Sequence, residues 1–305
     1  MLRKMIALTL SGLLMISSVA FAQPAAELTV VDKTAHVEKV IYGTEQTGSL
    51  LERINKLEKD VYGTEAQDAL ITKADRLYTY TKENSSTTSS LIMRVNTIEW
   101  TLTHSQTHDS IKARLDSIEK LLNGAPAAGS IDSRVSKLSK IAFGNQEIVK
   151  ESAECAKDTL VKIKLTNAID TKTTRVGDVV HFQASEDVYL NDLLIIAKGA
   201  PGKGKVTKVE QAKNFGRDAK LEIDFESIQA LDGTTISMFL GKKAEEETKS
   251  AAKAAGATFV GLVALGPVGI IGGAFVHGEE AKIPAGALMF IQTKEAVSLY
   301  GMKVK

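Results

Sequence analysis

Few residues of this sequence have the type and spacing that chemistry requires. His104 and His108 lie four residues apart, a spacing that can place two imidazoles on one helical face and hold zinc. Only Asp109 stands close by as a third ligand, and no glutamate follows His104 as it does in metalloprotease motifs. We therefore expect exposed connector histidines, with neither a metal site nor a bound cofactor.

The other reactive side chains also lack a catalytic setting. Cys155 is the single cysteine, and we interpret it as a small buried side chain on a helix, with a link between two chains as the alternative. Residues 199–204, Gly-Ala-Pro-Gly-Lys-Gly, lack the spacing of a phosphate loop and predict a β-turn. The sequence has no G-x-S-x-G motif, and we expect a protein that is not an enzyme.

Length and charge limit the number of domains and the kinds of partner that the chain can have. The chain has 305 residues, which is enough for two domains, and 25% of them are charged. The net charge is +1, so the charge balance gives no reason to expect a nucleic-acid partner.

The N-terminal residues predict export. Arg3 and Lys4 precede an apolar run over residues 5–19, and Ala20-Phe21-Ala22 follows it. This order is typical of a secretory signal peptide, which we place at residues 1–22; an uncleaved anchor helix is the alternative. We expect a location in the periplasm or cell envelope, with outer-membrane association as one form of it.

The segment 23–150 contains six copies of one sequence repeat. They start at Thr29, Ser49, Ala69, Ser90, Ser110 and Ser130, in steps of 20, 20, 21, 20 and 20 residues. Within the second copy, Leu50, Ile54, Leu57 and Val61 form one apolar stripe at helical spacing. Connectors containing Gly, Pro, Ser and Asn interrupt the stripe, so the pattern predicts six short helices.

Charged residues flank the stripe in a fixed order in four of the six copies, as Arg53 and Glu58 do in the second copy. Such flanking charges can bridge helices in a coiled coil, so we consider an oligomeric, interrupted coiled-coil stalk, which would be a homo-oligomer. A single-chain bundle or solenoid and a set of weakly ordered helices remain alternatives. The stalk hypothesis assigns self-association to Leu50, Arg53, Ile54, Leu57, Glu58, Arg94, Val95, Ile98, Glu99, Arg114, Leu115, Ile118 and Glu119.

These copies resemble short repeats of exported bacterial envelope proteins. The resemblance lies in Arg53-Ile54, Leu57-Glu58 and Val61-Tyr62-Gly63, and again in Arg134-Val135 with Phe143-Gly144. It implies an envelope setting.

Beyond a linker helix expected at residues 151–158, the period changes to two. Alternating runs at 161–165, 179–183, 205–209 and 221–225 predict half-buried strands over 159–305, in a small β-barrel or sandwich. The residues Gly177-Asp178-Val179-Val180, 194–200 and Asp232-Gly233 resemble the β-barrel domain of TrbI-type proteins. That resemblance implies a periplasmic scaffold domain.

An apolar, glycine-rich insertion at residues 251–278 interrupts the β-domain, and residues 254–276 carry no charge. We interpret it as a helical hairpin hinged at Gly266-Pro267. It would contact a membrane or pack on copies of itself; covering its own barrel is the alternative. The residues assigned to it are Gly256, Gly261, Gly266, Pro267, Gly269 and Gly273.

Together these patterns predict an α+β multidomain protein with a helical repeat array and a β-domain. We expect a non-enzymatic envelope scaffold that self-associates and docks on an envelope-protein or cell-wall partner. The alternatives are a module that binds peptidoglycan or another polysaccharide, and a membrane-inserting, pore-like protein.

Overall fold

The computed structural model describes residues 28–146, 148–210, 219–255, 274–276 and 282–304. The predicted signal peptide lies outside these residues, as do the glycines and the proline assigned to the apolar hairpin, so both stay predictions. The described chain forms a helical repeat array followed by a β-barrel with a smaller accessory sheet.

Each repeat forms one 13-residue helix, which confirms the helical array. Serine or threonine caps five of the six N-termini by accepting a backbone N–H bond, and Ala69 precedes the third helix without such a bond. We number repeat positions from this N-cap residue, which is position 0. The helices are α1 (Val30–Tyr42), α2 (Leu50–Tyr62), α3 (Leu70–Lys82), α4 (Leu91–Thr103), α5 (Ile111–Asn123) and α6 (Ile131–Phe143).

The predicted apolar stripes form a core within one chain. Ile54, Leu57, Val95, Ile98 and Leu115 are all fully buried in a single cluster to which all six helices contribute. This is the bundle arrangement that the sequence left open beside the coiled-coil stalk. In this fold the stripe is already covered, and the structure does not show a homo-oligomer.

The six helices form two layers of three. The first layer consists of α1, α2 and α3, and the second of α4, α5 and α6. Within the layers, α1 packs closely on α3 and α4 on α6. The layers meet end to end: a β-carbon placed on Gly43, which ends α1, would lie 3.6 Å from Ser110 Cβ, which begins α5. Gly63 approaches Ser130 in the same way, at 3.5 Å.

The C-terminal domain is an antiparallel six-stranded barrel, which confirms the barrel among the predicted β-folds. Its strand order is β8-β7-β4-β2-β12-β9, and β9 pairs with β8 to close it. Phe182 and Phe225 pack edge to face in its core, with ring centroids 5.5 Å apart. The barrel strands are β2 (Leu160–Leu165), β4 (Val179–Ala184), β7 (Pro201–Glu210), β8 (Ala219–Gln229), β9 (Thr235–Phe239) and β12 (Leu288–Thr293).

A four-stranded sheet lies beside the barrel in the order β1-β13-β6-β5. The prediction of a linker helix at residues 151–158 is wrong. The strand β1 (Lys150–Cys155) pairs antiparallel with β13 (Val297–Lys303), and all six residues of β1 have a partner. Cys155 is therefore buried at the end of a strand, not on a helix. The other strands are β3 (Ile169–Asp170), β5 (Val188–Leu190), β6 (Leu193–Ile196), β10 (Ala274–Val276) and β11 (Lys282–Ile283).

Helix α7 (Lys242–Ala255) lies against β12. Ala244, Thr248 and Ala252 are buried at four-residue spacing, and Thr248 Oγ1 accepts the Phe290 N–H at 2.9 Å. One face of α7 is therefore packed on the barrel. Within the part of the chain that the structure describes, no helix is both long and apolar enough to cross a bilayer.

Candidate interaction site between the array and the barrel

Buried glutamates at repeat position 9 fix the geometry of the array. Glu38, Glu58, Glu99 and Glu119 occupy this position in α1, α2, α4 and α5. Each accepts a backbone N–H eight residues further on, and so fixes the connector that follows its helix. The distances are 3.0 Å from Gln46 N, 3.2 Å from Ala66 N, 3.2 Å from Thr107 N and 2.7 Å from Ala127 N.

The same carboxylates bind the basic residue at position 4 of the next repeat. Arg114 donates from Nε to Glu99 Oε2 at 2.9 Å and also reaches Asn96 on the same preceding helix. The Arg53–Glu38, Lys73–Glu58 and Arg134–Glu119 pairs repeat this arrangement. The predicted charges therefore link helices, but between successive repeats of one chain. Three of the four pairs contain arginine and one contains Lys73, and we call the four together the Glu–Arg ladder.

The ladder is interrupted between α3 and α4, where the repeat step is 21 residues. Tyr78 stands at position 9 of α3 in place of glutamate. Arg94 on α4 instead donates to Tyr80 Oη at 3.0 Å and to Asp132 of α6 at 3.1 Å. The two layers are thus joined by a different set of contacts from those within each layer.

Helix α4 is buried on both sides. Its inner stripe, which includes Val95 and Ile98, joins the array core. Its outer side carries Met93 and Trp100, which are also buried, and Ile92 belongs to the array core while also reaching the barrel. A β-carbon on Gly233 of the barrel would lie 2.8 Å from Ile92 Cγ2, and Trp100 packs with Leu231 and Leu194. We call this contact between α4 and the β-domain the α4 joint.

Hydrogen bonds made by side chains fix the α4 joint. Asn96 Nδ2 donates to the Leu231 carbonyl at 2.8 Å, and Asn84 Nδ2 donates to the Asp232 carbonyl at 2.8 Å. Trp100 Nε1 donates to Asp187 Oδ1 at 3.0 Å. The same carboxylate oxygen accepts the Lys198 N–H at 2.6 Å, so Asp187 connects helix and barrel turn.

Gly199 permits the closest backbone approach in the joint. The Gln106 N–H donates to the Lys198 carbonyl at 2.7 Å. An added β-carbon on Gly199 would lie 2.0 Å from the Gln106 carbonyl oxygen, and its φ of +86° is one that L side chains rarely adopt. Only glycine fits here, so the array connector rests directly on the barrel backbone.

Sequence reasoning missed the residues of the α4 joint, although α4 carries a signal. At positions 3, 7 and 10, α2 has Glu52, Lys56 and Lys59, all exposed. The corresponding residues of α4 are Met93, Thr97 and Trp100, all buried. A repeat that loses the charges of its outward face is predicted to have a second packing surface.

His104 and His108, the two residues considered for zinc, have different ring neighbours. His104 packs edge to face on Trp100, with ring centroids 5.4 Å apart, whereas the His108 ring lies 6.1 Å from that of His181 on β4. Among the described residues, no group of three or more His, Cys, Asp and Glu side chains is placed to hold a metal ion.

Burial perturbs the pKa values of Cys155 and His36. Burial raises the pKa of the Cys155 thiol, which favours its neutral form at pH 7. Burial, followed by the positive charges of Lys82 and Lys39, lowers the pKa of His36 on α1. The His36 ring packs against Tyr78 of α3, with centroids 5.7 Å apart. The fold therefore favours the neutral form of His36.

Comparison with known proteins does not assign the chain to a family. No family model matches the chain, and no curated protein matches it. Among solved structures, ComB10 of the Com type IV secretion system of Helicobacter pylori is similar at 14% identity and a TM-score of 0.26. The match covers 47% of this chain and 88% of ComB10. A TM-score this low does not establish a common fold.

Proposed function

We propose that this protein is a non-enzymatic scaffold of the bacterial cell envelope, in which the helical array is held at a fixed orientation to the β-barrel. The observation that carries the proposal is the α4 joint. One helix contributes its inner face to the array core and its outer face to the barrel. The proposed role is to hold a partner of the array and a partner of the β-barrel at a fixed spacing and orientation.

The bonding pattern of the joint supports a fixed orientation. Hydrophobic packing alone is non-directional, whereas the bonds from Asn84, Asn96 and Trp100 each require a defined partner and geometry. Gly199 removes the side chain that would separate the two backbones. Flexible tethering would need none of these features.

The envelope location in the proposal rests on the predicted signal peptide and on the repeats that resemble those of envelope proteins. The partners we propose are an envelope protein or the cell wall. Fractionation of the native cell, followed by chemical cross-linking, tests both parts. We expect the protein in the envelope fraction, in cross-links with itself or with another envelope protein. Recovery in the cytoplasm contradicts the proposal.

A pull-down with purified cell wall distinguishes the alternative role. A scaffold held by protein contacts remains in the soluble fraction of this assay. Retention that soluble peptidoglycan fragments reverse would instead favour the polysaccharide-binding module.

A further inference from the structure

The exposed large apolar side chains of the array lie at its two opposite ends. One group is at the N-terminal ends of the helices of the first layer: Val31 at 52% exposed, Leu51 at 54% and Ile71 at 57%. The other is at the C-terminal ends of two helices of the second layer: Leu121 at 69%, Leu122 at 38% and Ile141 at 52%. Such clustering on otherwise polar helices typically marks an interaction surface.

The array already contains one end-to-end junction of this kind, between its own layers. There, position 11 of a first-layer helix meets position 2 of a second-layer helix: Tyr80 Oη donates to Asp132 Oδ1 at 2.6 Å. The C-caps Gly43 and Gly63 lie against the N-caps Ser110 and Ser130. The C-terminal end of one layer therefore fits the N-terminal end of the next.

The same repeat positions are apolar at the open ends. Val31, Leu51 and Ile71 occupy position 2 of α1, α2 and α3, and Leu121 and Ile141 occupy position 11 of α5 and α6. The C-caps Gly124 and Gly144 would meet no described atom within 4 Å of an added β-carbon. The C-terminal end of the first layer is thus covered by the second layer, whereas the C-terminal ends of α5 and α6 in the second layer are open.

The charges at the two ends are complementary. Asp32 and Glu52 stand at position 3 near the N-terminal end, and exposed Lys120 and Lys140 stand at position 10 near the C-terminal end.

We propose that a second copy of this chain occupies these surfaces: the C-terminal ends of α5 and α6 in one copy stack on the N-terminal ends of α1, α2 and α3 in the next. The contact is heterologous, so it repeats from copy to copy and builds linear assemblies. It differs from the coiled-coil stalk, because the buried stripes stay within each chain. It deepens the proposed scaffold role by naming the partner.

Sedimentation velocity of the full chain over a range of concentrations tests this inference. We expect a series of dimers and larger species whose share grows with concentration. Leu121→Glu with Ile141→Glu, at the C-terminal end, is expected to weaken association about tenfold or more, because it buries two charges among apolar side chains. Leu51→Glu with Ile71→Glu, at the other end, is expected to act equally.

A matched control is Val176→Glu with Val179→Glu, which places the same two charges on exposed valines of the barrel. It is expected to leave association unchanged. Circular dichroism melting of each variant verifies the fold, since all the substituted side chains are more than half exposed.

Mixing the two double variants gives the sharpest result. Each alone lacks one functional end, but the mixture retains one intact pair of ends, so it is expected to form 1:1 dimers and nothing larger. Three results would overturn the inference: a native chain that stays monomeric, end variants that associate like the native chain, or a mixture without dimers. Because this assay contains no cell envelope, its failure leaves the fractionation test of the scaffold role independent.

Discussion

Helices α2 and α4 are built on the same repeat, yet they have different surroundings. Both bury their inner stripe and a position-9 glutamate in the array. On the outer side, α2 carries exposed Lys59 at position 10, whereas α4 carries buried Trp100 against the barrel. The repeated positions therefore build the array, and the departures from the repeat mark where it is used.

The largest expected effect comes from the inner face, which the two helices share. Glu99→Ala leaves the guanidinium of Arg114 buried without its carboxylate, at a cost of about 3–5 kcal/mol in the free energy of unfolding. Glu58→Ala, beside buried Lys73, is expected to be similarly costly. Urea unfolding at pH 7, followed by circular dichroism, measures both.

The control for the inner face is Lys39→Ala. Its ion pair with Glu45 is exposed, so we expect a loss of less than about 1 kcal/mol. If Glu99→Ala were no more costly than this control, the buried ladder would not be what holds successive repeats together.

Substitutions on the outer face are expected to have different effects in α4 and in α2. Trp100→Ala removes a large buried side chain and the N–H bond to Asp187, at a cost of about 3–5 kcal/mol. Lys59→Ala, at the same repeat position of α2, removes only an exposed ion pair with Glu65 and is expected to cost less than about 1 kcal/mol. Equal effects in thermal unfolding would remove the distinction between the helices.

Gly199→Ala tests the joint from the barrel side. Its β-carbon would meet the Gln106 carbonyl oxygen, so the connector must move away from the barrel. We expect a loss of about 1–3 kcal/mol, together with faster proteolysis between α4 and α5. Gly286→Ala is the matched control: its φ of +85° is nearly the same, but no described atom lies within 4 Å of the added carbon. Equal proteolysis in both variants would contradict the close approach.

The smallest expected effect is a pH dependence within the first layer. The fold lowers the pKa of His36 below its ordinary value of 6.5, so the neutral form is favoured in the folded chain. Stability that is present above pH 6.5 is then lost as the pH falls below it. We expect His36→Phe to reduce the difference in urea midpoint between pH 7.5 and pH 5.5; an unchanged difference would exclude His36 as its cause.

The sequence predicted the elements better than the contacts between them. The helices could be located because six copies of one stripe support each other, and the barrel strands because their apolar residues alternate. The strand Lys150–Cys155 was missed because three of its residues are exposed and its sequence, Lys-Glu-Ser-Ala-Glu-Cys, shows no regular alternation. Its pairing with the distant Val297–Lys303 decides its structure.

The candidate site was harder to predict, for a physical reason. The charges at positions 4 and 9 indicated bridges between helices, but not whether the helices belong to one chain. The partners of Asn96 and Asn84 are backbone carbonyls more than a hundred residues away, which no local pattern encodes. The uncharged outer face of α4 was the one local trace of the joint.

The central claim is that the α4 joint holds the array and the barrel in one orientation. Spin labels at Lys59 on α2 and Val176 on the barrel, in a Cys155→Ala background, allow this to be measured by double electron–electron resonance. The account predicts a single narrow distance distribution, which broadens when Trp100→Ala is added. A broad distribution in the chain with an intact joint would contradict it.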